Sequence, residues 1–247
     1  TGDDLIDDVS GGQGGTFNDY VDAGDGNDTV YVGGGNDTVL GGAGNDAISG
    51  EDGSDSLDGG AGADTLYGGA GNDTLDLTAS DSASDVAYGD DGNDLIISRY
   101  DTAGGNDSLY GGAGRDTLIA GAGDYVDGGS TGDDFDTLDL SGAPTVGTAT
   151  MTFTGTGAGT ASNGGQTLTF TEIEAIVGTA GDDSINAAAD SGGLTLDAAA
   201  GNDTITGGWG SDRIFGGDGN DQAFGGTGND VVEGLAGNDS LSGGDGD

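Results

Sequence analysis

The sequence predicts an all-β fold, a parallel β-solenoid of 18-residue coils with a β-hairpin as spacer. Three observations carry that expectation. An aspartate returns every nine residues, at Asp19, Asp28, Asp37, Asp46, Asp55, Asp64 and Asp73. A glycine-rich run precedes each return, most cleanly in GGAGNDAIS from Gly41, GGAGADTLY from Gly59 and GGAGNDTLD from Gly68. One apolar residue follows two places later, as Val30, Val39, Ile48, Leu57, Leu66 and Leu75. A fixed period of this kind is the mark of one structural unit repeated and stacked.

The nine positions divide by physical task. Positions 1 to 4 are mostly Gly and position 5 mostly Asn, the residues that best tolerate a left-handed backbone, so this half is a turn. Positions 7 to 9 are a minimal strand whose central apolar side chain faces one way, flanked by Thr, Ser or Tyr. Two units return the chain to its starting direction, and stacked coils make two parallel sheets with the apolar residues between them. Asp19, Asp37, Asp55 and Asp73 then line one edge, while Asp28, Asp46 and Asp64 line the other.

Stacked strands stand ~4.8 Å apart. Two carboxylates at that distance in water repel by roughly 1 kcal/mol, and by more when shielded. A bare stack of acids should not close. A hard cation between turns resolves the conflict, because Ca²⁺ accepts 6 to 8 oxygens at ~2.4 Å and takes backbone carbonyls as readily as carboxylates. Mg²⁺ demands stricter octahedral geometry, and Zn²⁺ finds no His or Cys here. Calcium, in several copies, is the expected ion.

The pattern GGxGxDxUx, with U a large apolar residue, resembles the RTX (repeats-in-toxin) family of calcium-binding nonapeptide repeats. The resemblance implies a right-handed parallel β-roll whose ions are held by position-6 Asp side chains and turn carbonyls. Carried onto this chain, the expected ligands are Asp19, Asp28, Asp37, Asp46, Asp55, Asp64, Asp73, Asp94, Asp107, Asp116, Asp183, Asp203, Asp212, Asp221, Asp230 and Asp239. Backbone carbonyls such as those of Gly33, Gly42, Gly60, Gly69, Gly208, Gly217 and Gly226 join them. The resemblance also implies a secreted bacterial protein exported through a type I system.

In chain order, residues 1–140 read as a first roll. GDDLID from Gly2 and TFNDYVD from Thr16 approach the repeat imperfectly, with Phe17 in a glycine slot. Irregular loops are expected near 77–88, 98–103 and 120–135, the last with Asp124, Asp127, Asp133 and Asp134 in no assignable register. Residues 141–177 form the spacer, in which TMTFT (150–154) and QTLTFT (166–171) alternate apolar residues with Thr and pair as a hairpin across a Gly-rich turn. Residues 178–247 are a second roll, expected to stack on the first, in which Ala198 to Ala200 replace glycines and Trp209 stands exposed in a turn.

Composition excludes several function classes. The formal net charge is -43, with three Arg and no Lys or His. Nucleic acid and anionic membrane are thereby excluded as direct partners. No Cys is present to staple an extracellular fold, no segment approaches a membrane span, and a chain that starts at Thr1 and stops inside the unit GGDGD from Gly243 reads as a piece of a longer polypeptide. Carboxylates ~5 to 9 Å apart can cleave glycosides, but these rows offer no cleft and no nucleophile, so no enzyme activity is expected of the chain. The sequons at Asn27, Asn36, Asn72 and Asn202 follow from the repeat itself, and the Thr rows reflect β-propensity rather than an ice-binding lattice. Tyr31 and Tyr67 share one sheet face and read as surface packing.

The expected function is a calcium-driven structural or adhesive β-roll of a secreted or cell-surface bacterial protein, from a surface layer, filament or adhesin. Its partners are calcium ions and, through calcium bridges, copies of itself or other surface components. The alternative is the export and folding module of a secreted enzyme or toxin whose catalytic domain lies elsewhere.

Overall fold

A computed structural model describes residues 2–7, 16–78, 82–98, 105–130, 134–142, 148–163 and 166–246. All regular structure among them is β, in two compact units, Thr1–Asp134 and Phe135–Asp247.

The first unit contains β1 (Leu5–Asp7), β2 (Tyr20–Asp25), β3 (Thr29–Tyr31), β4 (Thr38–Ala43), β5 (Ala47–Asp52), β6 (Ser56–Ala61), β7 (Thr65–Ala70), β8 (Thr74–Asp76), β9 (Val86–Asp91), β10 (Leu95–Ile97), β11 (Ser108–Ala113), β12 (Thr117–Ile119) and β13 (Tyr125–Asp127). Odd-numbered strands make one parallel sheet and even-numbered strands the other. The register is that of the 18-residue coil: Val30 pairs with Ile48 across β3 and β5, and Val39 with Leu57 across β4 and β6. Position-8 residues Val30, Val39, Ile48, Leu57, Leu66 and Leu75 are all buried, so the one apolar residue per repeat does line the core.

The sequence breaks do not end the coiling. Across the first break, β10 pairs with β8, setting Ile96 beside Leu75. Across the second, β11 pairs with β9, setting Leu109 beside Ala87. Two of the expected loops therefore contain strand: β9 begins inside 77–88, and β13 lies inside 120–135. Residues 79–81, 99–104 and 131–133, the last including Asp133, lie outside the described residues.

The second unit contains β14 (Thr137–Asp139), β15 (Thr150–Gly155), β16 (Ala158–Asn163), β17 (Gln166–Thr171), β18 (Ala175–Val177), β19 (Ser184–Asn186), β20 (Thr195–Asp197), β21 (Thr204–Thr206), β22 (Arg213–Asp218), β23 (Gln222–Thr227), β24 (Val231–Ala236) and β25 (Ser240–Asp245). Its sheets run β17-β16-β15-β19-β21-β23-β25 and β14-β18-β20-β22-β24. The antiparallel spacer is present, with one strand more than expected. The Gly-rich span becomes β16, which pairs antiparallel with both β15 and β17. The expected hairpin is thus a three-stranded meander joined to the roll by the parallel pair β15–β19. Met151, Phe153, Leu168 and Phe170 are buried in it, and the rings of Phe153 and Phe170 meet edge to face at 5.1 Å.

Candidate metal centre

The turns of the roll carry two hydrogen-bond ladders of opposite sense. At position 6 the backbone N–H of each Asp donates to Oδ1 of the Asp one coil ahead. Asp28 donates to Asp46, Asp46 to Asp64, Asp37 to Asp55 and Asp55 to Asp73, each at 2.8 Å. At position 5 the donation runs backward, from Asn45 N–H to Asn27 Oδ1 at 2.7 Å and from Asn93 N–H to Asn72 Oδ1 at 2.8 Å. The amides of the sequons at Asn27, Asn36, Asn72 and Asn202 are all acceptors in this second ladder.

The first ladder uses only one oxygen of each carboxylate. The Oδ2 atoms of Asp28, Asp37, Asp46, Asp55, Asp73, Asp94, Asp203, Asp221 and Asp230 are buried with no hydrogen-bond partner. An unpaired buried carboxylate oxygen is costly. Burial, opposed by the Asp37 N–H bond and assisted by the charges of Asp73 and Asp37, pushes the Asp55 carboxyl up to about 7. Burial does the same at Asp94, to about 7, and at Asp116 and Asp203, to about 6.

At most of the open oxygens the neighbouring space is one that only a glycine leaves free, whereas Ala23, Val32 and Ala198 stand at position 1 before Asp28, Asp37 and Asp203. A Cβ on Gly68, at position 1, would stand 2.5 Å from Asp73 Oδ2 and 2.7 Å from the Gly89 carbonyl oxygen. A Cβ on Gly41 would stand 2.7 Å from Asp46 Oδ2 and 2.5 Å from the Gly59 carbonyl oxygen. The carboxylate of one coil and the position-1 carbonyl of the next therefore line one small cradle, with oxygen as the only donor type. Buried, anionic and all-oxygen, it fits Ca²⁺ and does not suit a soft metal.

The structure brings the expected aspartates together as two rows per unit, with additions. Asp85 and Asp124 complete the first row: Asp64 N–H donates to Asp85, Asp85 N–H to Asp107, and Asp107 N–H to Asp124. Asp4 enters at the other end, its N–H donating to Asp28 Oδ1. Asp85 precedes Asp94 by nine residues, so counting back from Asp94 would have found it. Asp124 follows Asp116 by eight, which hid it. Asp19 is only half-buried, as are Asp230 and Asp239.

Among the carbonyls, those beside Oδ2 belong to position 1, whereas the expected position-2 carbonyls serve the strand ladder. Gly33 O accepts from Asp52 N–H at 2.9 Å, and Gly208 O from Thr227 N–H at 3.0 Å. Asp203 keeps an open oxygen despite the alanines before it, because Ala199 adopts the left-handed backbone (φ 70°) that glycine otherwise supplies. At Asp183 and Asp212 both carboxylate oxygens accept hydrogen bonds.

A family model described as RTX calcium-binding nonapeptide repeat (4 copies) matches residues 1–39, 13–48, 40–75, 80–98, 101–135, 171–191, 195–223 and 224–247. The matches span the aspartate rows and omit most of the antiparallel meander. No curated protein matches the chain.

Proposed function

Since the chain belongs to the RTX calcium-binding nonapeptide repeat family, whose β-roll is a structural module with multiple Ca²⁺ ions, we propose that it is a calcium-gated structural or adhesive element of a secreted or cell-surface bacterial protein. The observation that carries this reading is the row of buried, unpartnered Oδ2 atoms facing glycine carbonyls. Asp28, Asp37, Asp46, Asp55, Asp73, Asp94, Asp203, Asp221 and Asp230 would hold the ions, together with position-1 carbonyls such as those of Gly59 and Gly89. A bound ion supplies positive charge between layers that otherwise repel.

The chain's own residues do the rest. Where position 1 is glycine it keeps the cradle open, position-5 amides hold the turns in line, and the position-8 residues close the coil once repulsion is offset. With scarce Ca²⁺ the charge of -43 keeps the chain extended and exportable. At the ~10⁻⁴ to 10⁻³ M affinities of extracellular calcium modules, the roll closes outside the cell. Acidic faces then meet other copies or surface components through shared calcium.

A calcium titration followed by circular dichroism and Trp209 fluorescence tests the gate. Trp209 is 72% exposed at its turn and reports locally. Coil over the repeat blocks without the ion and β-structure with it are expected, and Asp46→Ala should lose more of the transition than Asp90→Ala, which lies outside the rows. Light scattering tests the adhesive role. Calcium-dependent growth in particle size supports it, and a strictly monomeric folded product at millimolar Ca²⁺ points instead to an export and folding module.

A further inference from the structure

Not every turn in the rows is built to receive an ion. Asp183 Oδ1 accepts from Ala149 N–H and from the Thr179 hydroxyl, and its Oδ2 accepts from Thr179 N–H, at 2.7 to 2.8 Å. Asp212 Oδ1 accepts from Leu194 N–H at 2.9 Å and its Oδ2 from Gly208 N–H at 2.8 Å. Asp124 Oδ1 accepts from Asp107 N–H, while its Oδ2 takes both Gly121 N–H and the Ser98 hydroxyl at 2.7 Å. In all three the donor at Oδ2 is the position-2 amide of the same turn.

The three share a local cause. The strand entering each turn, β12, β18 or β21, stops after three residues. Strands entering the turns of Asp46, Asp55, Asp73 and Asp94 run six residues, through positions 1 to 3. The short strands that enter the turns of Asp37 and Asp203 are prolonged by isolated bridges at Gly34 and Ala200. Released from the sheet, the position-2 N–H swings onto the carboxylate. Its positive end then stands where a cation would have to stand, and Thr179 and Gly208 are buried, so an ion displacing the N–H would leave that donor unmet.

We propose that the turns at Asp124, Asp183 and Asp212 are closed by their own backbone amides and take no calcium, so that the ion rows are broken at these points. The proposal rests on the calcium reading of the open cradles and narrows it.

Calcium bound per full chain, counted by equilibrium dialysis with metal analysis, tests it in three variants. Asp46→Asn should lose at least one ion. Asp183→Asn and Asp212→Asn should bind as many ions as the unaltered chain, with a lower denaturation midpoint in calcium. Loss of ions from either of the latter two, equal to that of Asp46→Asn, overturns the proposal alone. An unaltered chain that binds no calcium overturns the underlying reading as well. Should a variant fail to fold, the calcium-saturated unaltered chain still decides by nuclear magnetic resonance. Scalar couplings through the hydrogen bonds from Thr179 N to the Asp183 carboxyl and from Gly208 N to the Asp212 carboxyl support the proposal, and their absence overturns it.

Discussion

Position 2 takes a left-handed backbone at most of the described turns, though not at those of Asp124, Asp183 and Asp212; Gly42, Gly60 and Gly226 adopt it freely, and Glu51, Asp90, Ala199 and Leu235 adopt it at φ between 66° and 70°. An L-residue held there gives up about 1–2 kcal/mol, and glycine returns about 0.5–1 of that through its freer unfolded chain. Leu235 is 62% exposed and has little packing to lose. Leu235→Gly should therefore stabilise the calcium-loaded protein by about 0.5–1 kcal/mol, seen as a higher denaturation midpoint; an unchanged or lower midpoint contradicts the account. The carboxylates give a second expectation at this scale. Asp55 and Asp94 sit near 7 in the metal-free fold, above an unfolded value of about 3.9. The fold then binds more protons than the unfolded chain between those values, so their contribution is fully present below about pH 4 and is lost as pH rises through about 7. Metal-free protein should gain β-structure on going from pH 8 to pH 5, while its calcium affinity falls, because proton and ion compete for the same oxygens. Circular dichroism after chelation across that range would detect the opposite trend. Most of these aspartates were legible because the nine-residue interval names them. Asp124 was not, since a turn one residue short shifts the count while leaving the carboxylate in the row.

The strand faces show a different balance between pattern and context. Tyr31 and Tyr67 alone read as ordinary surface packing, yet Tyr67, Tyr88 and Tyr110 stack in a column, with centroids 5.1 and 4.8 Å apart and planes within 9° of parallel. Tyr125 continues it tilted, at 5.8 Å. Tyr31 does not join, because Ser49 of β5 lies between its strand and that of Tyr67. The column was hidden by the insertions, which place Tyr88 and Tyr110 off the eighteen-residue interval in sequence while the coil restores it in space. Cross-strand aromatic pairs contribute about 0.5–1.5 kcal/mol each. Tyr88→Ala removes two such contacts and should lower stability by about 1–3 kcal/mol, whereas Tyr88→Phe keeps the rings and should be near neutral; equal losses would assign the effect to the hydroxyl instead. The meander was half legible for a related reason. Alternating Thr and apolar residues announce β15 and β17, but β16 reads as a turn, because Gly159 and its small residues carry no period and are held in extension only by pairing on both sides.

For the whole molecule the two units differ in what holds them. In Thr1–Asp134 the apolar core is one modest side chain per repeat, and the turns around Asp28, Asp37, Asp46, Asp55 and Asp73 leave a carboxylate oxygen open in each. Filling the nine open cradles would add about 18 positive charges against the formal -43, a large change in self-repulsion. In Phe135–Asp247 the meander buries Met151, Phe153, Leu168 and Phe170, and Asp190, fully buried, anchors it by accepting from Gly157 N–H at 2.8 Å, while also accepting from Gly192 N–H at 2.7 Å. Asp183 and Asp212, closed by amides, need no ion by the same geometry. Chelation should therefore act unevenly along one chain. Hydrogen exchange of the full chain, read by mass spectrometry, should show the amides of residues 24–76 losing protection when calcium is withdrawn. Those of residues 149–198 should keep a substantial part of theirs, because apolar burial and satisfied carboxylates do there what calcium does elsewhere. Loss of protection in both segments at the same calcium concentration would mean that the meander depends on the ion as fully as the repeats do, and that its larger side chains fill the core without being able to hold it.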